Sequence, residues 1–194
     1  MRDPGAGTAE LVTERLGLRP LRESDLDALA AIYADPAVMR FLGGPRTRED
    51  TRTRLGWIIA AHREQGYGLW ATTLRADGAL IGRCGILVQD IEGAQEHEIA
   101  YLLGSKWLGN GYATEAAAAI RDHARSHLGF DRLISLIGPE NAASKAVALR
   151  IGMHHERDLN FEGRPTALFA CKIGSDPVFA RRRPLPTSLD KLPA

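Results

Sequence analysis

The chain has 194 residues, 44% of them hydrophobic, with 25 Lys and Arg against 24 Asp and Glu. That length and content suit one medium domain able to bury a core without disulfides or a structural metal. A formal charge of +1 provides no global field toward nucleic acid or an anionic membrane, so any anion site has to be local. Cys84 and Cys171 stand far apart and outside any CxxC spacing, which argues against zinc and against a secreted disulfide framework. Met1-Arg2-Asp3-Pro4-Gly5-Ala6-Gly7 lacks the apolar run of a signal peptide, and no stretch approaches a membrane span. The cytoplasm is the expected compartment.

In chain order, Leu16, Leu18 and Leu21 form a short strand pattern, and Ser24-Asp25 offers an N-cap for a helix carrying Leu26, Leu29 and Tyr33. Asp35-Pro36 supplies a cap followed by a proline at the first helical position. Thr47-Arg48-Glu49-Asp50 resembles a capping box opening a helix toward Gln65, ended by Gly66. Trp70 to Leu74 and Leu80 to Val88 flank an Asp77-Gly78 pair, predicting a tight antiparallel hairpin.

Glu98 to Leu103 is the next strand, and Ala113 to Leu128 a helix with Ala113, Ala116, Ala117, Ile120, Ala124 and Leu128 on one stripe, closed by Gly129. Arg132 to Ile137 is a strand and Ala142 to Ile151 a short helix ended by Gly152. A last hairpin joins His154 to Phe161 and Thr166 to Ile173 around Glu162-Gly163-Arg164-Pro165. The order βααβββαβαββ predicts a mixed α/β sheet rather than an alternating parallel barrel. Residues 11–173 form the expected domain, with residues 1–10 and 174–194 as flexible termini. The second tail holds Arg181-Arg182-Arg183-Pro184, a run short enough to read as solvated.

The segment richest in chemistry is Leu108-Gly109-Asn110-Gly111-Tyr112-Ala113-Thr114-Glu115, at a strand-to-helix junction. Glycines there let backbone approach a ligand closely, and the first helical N–H groups point outward with the positive end of the helix dipole behind them. Such geometry holds a pyrophosphate, although an isolated GxG is equally an ordinary turn. A dinucleotide fingerprint requires a third glycine at Thr114, and a P-loop requires Gly-Lys-Ser/Thr; neither is present.

A second segment, Asn141-Ala142-Ala143-Ser144-Lys145, follows the strand Arg132 to Ile137 and is closed by Arg150-Ile151-Gly152-Met153. With these, Glu14-Arg15-Leu16, Pro36-Ala37-Val38-Met39, Ile81-Gly82-Arg83-Cys84-Gly85 and Glu98-Ile99-Ala100-Tyr101-Leu102 occur in an order that resembles the GNAT superfamily of N-acetyltransferases. The likeness is to the branch of ribosomal-protein N-acetyltransferases and covers roughly residues 11–173, the size of one domain.

The resemblance implies a mostly antiparallel sheet splayed between its fourth strand (Glu98 to Leu103) and fifth strand (Arg132 to Ile137), flanked by helices. Acetyl-CoA is the implied cosubstrate, with no metal. The family's pyrophosphate pattern would map onto Leu108, Gly109, Asn110, Gly111, Tyr112 and Ala113, with the amides of Asn110, Gly111, Tyr112, Ala113 and Thr114 holding the phosphates. Leu108 departs from the family's Gln or Arg, which leaves main-chain contacts intact. The pantetheine arm would pair with the edge near Leu103 as an added strand and contact Asn141, a residue equally suited to cap the helix.

Ser144 maps onto a position this branch uses as general acid toward the departing thiolate; a helix-start serine bonding local backbone is the competing role. The residues after it, Val147, Ala148 and Leu149, include no tyrosine. A primary alkylamine of pKa about 10.4 is neutral in about one molecule per two thousand at pH 7, a cost of about 4.5 kcal/mol, against about 1 for an α-amine. The acceptor therefore decides how strong a base is needed. Glu98 is the first candidate, acting directly or through water, with Glu96 and Glu162 as alternatives.

Tyr33, Met39, Arg40, Phe41, Trp70 and Tyr101 are candidates for the acceptor wall, with core packing the alternative for each. His123 and His127 have the spacing of metal ligands, but Ala124 stands where a zincin-like motif needs glutamate, so a solvated helix face is expected. Cys84 reads as a small core residue. The expected activity is transfer of an acetyl group to a primary amine, small or peptide-borne, by direct attack in a ternary complex. A non-catalytic acyl-CoA-binding domain is the alternative. Neither nucleic acid nor membrane is an expected partner, and a homodimer is left open.

Overall fold

The structure, a computed structural model, describes residues 11–174. The expected tails, Gly174 apart, lie outside the described residues. Its strands are β1 (Leu11–Val12), β2 (Leu16–Pro20), β3 (Leu69–Leu74), β4 (Leu80–Ile91), β5 (Ala94–Leu103), β6 (Arg132–Ile137), β7 (His154–Phe161) and β8 (Arg164–Lys172). The helices are α1 (Leu26–Tyr33), α2 (Pro36–Met39), α3 (Arg48–Gln65), α4 (Tyr112–His123) and α5 (Ala142–Arg150). The strands form one sheet in the order β1-β2-β3-β4-β5-β6-β8-β7. All neighbours are antiparallel except β5 and β6.

Local signals account for most boundaries. Thr47 caps α3 and Asp50 returns the bond to the Thr47 N–H, the reciprocal pair of a capping box. Asp35 accepts from the Ala37 N–H ahead of Pro36. At α1 Asp25 is the N-cap residue as expected, but its side chain makes no cap bond to the helix. Glu23–Asp25 forms a 3-10 turn, and the Asp25 carboxylate accepts from the Arg22 N–H and from both terminal nitrogens of Arg19 at 2.7 and 2.8 Å. A guanidinium fork outcompetes a helix amide for a buried carboxylate.

One hairpin extends beyond its sequence signal. β4 continues to Ile91 and β5 begins at Ala94, joined by Glu92 and Gly93, both in the left-handed region; glutamate at such a position gives no cue of the turn. In the last hairpin the turn is likewise only Glu162-Gly163, so β8 starts at Arg164. The two-residue β1 adds an edge strand, and the parting expected between fourth and fifth strands falls between β5 and β6, which are the same segments.

Two cores lie on opposite faces of the sheet. Ala116, Ala117 and Ile120 of α4 and Val147 and Ala148 of α5 pack on Leu16, Leu18, Ile99, Leu133 and Phe169. The alanine run suits a helix intrinsically and brings α4 close to the strands, while burial of Ile120 alone contributes about 1.5–3 kcal/mol. The other face carries Leu29, Ile32, Tyr33, Met39 and Leu55 against Leu69, Ala71 and Leu102. α4 gives way at Ala124–Leu128 to a wider π turn before Gly129. No helix among the described residues is long and apolar enough to cross a membrane.

Gly85 is fixed by close approach rather than by dihedral freedom. A Cβ there would stand 2.0 Å from the Gly68 carbonyl oxygen, the same oxygen that accepts from the Ile86 N–H. Gly85→Ala therefore has to displace backbone, and a loss of about 3 kcal/mol is expected in urea unfolding, with an unchanged m-value.

Candidate active site

Strand alternation assigns the β5 side chains to two faces. Ala100 and Leu102 face α1 and α3, whereas Ile99, Tyr101 and Leu103 face α4 and α5; by the same alternation Glu98 is on the α1–α3 side. β5 and β6 share one register pair, Glu98 with Ile134. At that point side chains take over from the ladder. The Ser135 hydroxyl donates to the Ile99 carbonyl at 2.7 Å, and the Leu136 N–H donates to Glu98 Oε1 at 3.3 Å. Beyond it a groove of about 1140 Å³ opens, walled by Ala100 to Leu103 of β5 and Ser135 to Gly138 after the divergence.

At one end the groove reaches the loop before α4, where Leu108, Gly109, Asn110, Gly111, Tyr112, Ala113 and Thr114 all line it. Gly111 is the N-cap of α4 with φ 80°, and no side chain caps the helix there. With no side chain over that end, the first-turn N–H groups of α4 are left for a ligand, a fit for an anionic phosphate at a helix N-terminus. Leu103, Asn141 and Ser144 also line the groove, so every expected CoA-site residue falls on one continuous surface. Asn141 is the N-cap of α5, accepting from the Ser144 N–H at 3.1 Å.

The loop is braced by Arg15 and Glu115. Arg15 Nε donates to Glu115 Oε2 at 2.7 Å, Arg15 Nη1 donates to the Asn110 carbonyl at 2.9 Å, and the guanidinium covers the Tyr112 ring at 4.5 Å. The Thr13 hydroxyl and the Arg15 N–H both donate to Glu115 Oε1. Burial pushes the Glu115 carboxyl up, but these bonds outweigh it and hold it below its usual range. The Glu14-Arg15-Leu16 landmark flagged this segment; its bracing of a loop about a hundred residues away is visible only in three dimensions.

Glu98 lines the middle of the groove and is 9% exposed. Burial raises its carboxyl above the usual range, against the Gln89 amide donating at 2.6 Å, the Leu136 N–H and the Arg83 charge. A buried carboxylate so raised is a stronger proton acceptor near neutral pH. The alternatives are placed differently. Glu96 pairs with Arg132, which also pairs with Glu156. Glu162 occupies the β7–β8 turn with φ 49°.

The expected acceptor wall divides. Phe41 and Arg40 line the groove. Tyr101 lines it from the α4–α5 side, its hydroxyl donating to the Ser144 carbonyl at 2.7 Å, so it supports the start of α5. Tyr33 is buried and walls a smaller adjoining cavity of about 150 Å³. Met39 and Trp70 do not line the groove. Met39 is buried against α1, and the pleat turns Trp70 away from Leu69 and Ala71 and onto His62 and His123.

His123 is thus half-buried over Trp70 rather than solvated, with its ring stacked on that of exposed His127 at 4.7 Å. Among the described residues no three His, Cys, Asp or Glu are grouped to hold a metal. Cys84 is fully buried, and burial pushes its thiol up to about 12, which makes it inert as a nucleophile. Of two further groove residues, Ser135 had no marker beyond a polar residue inside an otherwise apolar strand, and Arg83 stood in the Ile81-Gly82-Arg83-Cys84-Gly85 landmark without a role assigned to it.

A parted mixed sheet, an amide-lined helix terminus on one face and a buried carboxylate on the other define an acyl-CoA-dependent N-acetyltransferase. The chain belongs to the GNAT acetyltransferase family, whose acetyltransferase domain model matches residues 15–154. It is 36% identical over 164 residues to the uncharacterized protein YkkB of Bacillus subtilis (strain 168), covering 84% of this chain and 95% of that one. An acetyltransferase from Agrobacterium tumefaciens strain C58 superposes with a TM-score of 0.74 at 31% identity, over 88% of this chain and 98% of its own. The fold is also that of RimL, a ribosomal L7/L12 alpha-N-protein acetyltransferase solved with coenzyme A. Here the TM-score is 0.72 at 23% identity, over 86% of this chain and 98% of that one. The expected family and sheet are borne out.

Because Glu115 ties β2's approach to the phosphate loop, Glu115→Gln should weaken CoA binding roughly tenfold, or about 1.4 kcal/mol, in calorimetric titration. Glu115 is depressed, so its bracing is present above the ordinary glutamate pKa and is lost as pH falls through the lower folded value. The wild-type affinity should fall in that acid range, and the variant's dependence should flatten.

Proposed function

We propose that residues 11–173 form one cytoplasmic N-acetyltransferase domain. It moves the acetyl group of acetyl-CoA to a primary amine by direct attack in a ternary complex. Support comes above all from the groove passing through the parted sheet, with Glu98 on the α1–α3 side and Ser144 and the α4 amides on the other. A donor held on the α4–α5 side presents its thioester in the gap, and an amine enters from the opposite face beside the buried carboxylate.

In this mechanism Glu98, directly or through water, takes the proton of the incoming ammonium. The neutral nitrogen attacks the thioester carbonyl and the C–N bond forms; the nitrogen's second proton then passes through water to replace the one that Ser144 gives up, the C–S bond breaks, and CoA leaves. Ser144 supplies a proton to the departing sulfur. Help there is small because a thiol of pKa about 8.5 is already a fair leaving group near neutrality. The free Asn141 amide edge and the unpaired side of β5 hold the pantetheine arm. RimL's acceptor is a protein α-amine, so a peptide N-terminus belongs among the acceptors tested here beside lysine and small amines.

Incubation with acetyl-CoA and an amine panel should release free thiol in step with the acetylated amine. CoA binding without release on any amine, peptide N-termini included, leaves only a binding domain. Glu98→Gln should lower kcat by roughly 10²–10⁴. Since Glu98 works deprotonated and its pKa is raised, wild-type kcat should fall as pH drops through a value above the ordinary glutamate pKa of about 4.3, a limb missing from the variant. Ser144→Ala should cost kcat about tenfold to a hundredfold.

A further inference from the structure

Arg40 and Arg83 line the acceptor side of the groove and Arg54 the cavity beside it, with Arg46 and Arg164 nearby but on neither wall. Arg83 of β4 walls both the groove and the adjoining 150 Å³ cavity, which Arg54 and Tyr33 also line. Arg83 Nε donates to the Tyr33 hydroxyl at 2.6 Å, while its Nη1 is buried with no hydrogen-bond partner among the described residues. Arg46 is tied to the same tyrosine by its N–H on the Tyr33 carbonyl at 2.9 Å. The Arg46 and Arg164 guanidiniums flank Gly43, within 3.8 Å of where its Cβ would stand. Burial and the charges of Arg46 and Arg83 push the Arg54 guanidinium down, with Asp50 offsetting part of it.

This concentration of positive charge occurs on a chain of net charge only +1, and it has two consequences. A buried guanidinium nitrogen without an acceptor is costly, and a planar carboxylate is the group its fork matches best. A simple alkylamine reaches the site as an ammonium, which the arginines repel. An acceptor bearing its own carboxylate removes that repulsion and satisfies the donor together. Apart from Gln65, the rest of the cavity wall, including Trp57, Ile58, Leu69 and Leu87, is apolar and suits a hydrocarbon body.

Building on the N-acetyltransferase reading above, we propose that the acceptor is a primary amine that carries a carboxylate on an apolar frame, bound through Arg83 with Arg54 beside it. On the α1–α3 face, Arg83 stands opposite Leu102 in the β4–β5 register and Leu87 opposite Glu98. The carboxylate subsite and the base thus share one strand pair, the anion held at one position and the amine presented at the other. Two sources offer this chemistry, a free amino acid and a peptide N-terminus followed by an acidic residue.

The test measures kcat/KM with acetyl-CoA for matched acceptors. Phenylalanine is set against phenethylamine and leucine against isoamylamine, and a peptide amide beginning Ser-Asp against one beginning Ser-Ala. The carboxylate member of at least one pair should be favoured tenfold or more. Arg83→Gln should collapse that ratio toward one, chiefly through KM, and Arg83→Lys should retain part of it. The pair that responds identifies the source.

CoA affinity checks folding. If Arg83→Gln fails it, the wild-type ratio and Arg54→Gln, expected to reduce that ratio severalfold, decide instead. Acetylation without a carboxylate preference, or equal losses for both members of each pair, overturns the proposal while leaving the acetyltransferase reading intact. No thiol release from any amine overturns both.

Discussion

The constraint on which the rest depends is the separation of β5 from β6 after the single pair of Glu98 with Ile134. A buried strand edge with unpaired N–H and C=O groups is costly unless something replaces the ladder. Here Ser135 and Glu98 close the apex of the gap with side-chain bonds, while the edge beyond remains a wall of the groove. The parting lies between two helical layers, α4 and α5 packed on one face of the sheet and α1 and α3 on the other.

A groove that passes through a sheet sorts chemistry by strand parity. One face of β5 carries Tyr101 and Leu103 toward the helix termini suited to the donor; the other carries Glu98, Ala100 and Leu102 toward the arginine-lined side. Glu98 illustrates the economy of the arrangement, since its carboxylate stitches the apex through Leu136 and lies where burial makes it a better base.

The phosphate end follows a different rule. On the proposed reading its ligands are backbone amides, which makes the exposed Leu108 in place of a polar residue tolerable, and what requires care is the path of the loop. Arg15 and Glu115 fix that path from a distant strand, with carbonyl, carboxylate and ring contacts on one guanidinium. Net charge near zero and strong local anion recognition are compatible for this reason.

The amino-acid order by itself determined the features that depend on neighbours along the chain. These were the caps at Asp35 and Thr47, the Asp77-Gly78 hairpin, the alanine stripe of α4, and the Gly109–Thr114 loop with Asn141 and Ser144 in a family-like order. Features set by competition or parity needed the tertiary structure. Asp25 kept the N-cap position of α1 but gave its carboxylate to Arg19, and the Glu92-Gly93 turn was hidden by a glutamate in a left-handed position. Trp70 and Met39, apolar residues near the site in sequence, were turned into the core by the pleat and by α2. Arg83, one arginine among many in the sequence, became distinctive only when folding buried one of its donors beside Tyr33 at the groove. Local propensity is written in short segments, whereas the desolvation and convergence that give a charged side chain its role exist only after distant strands meet.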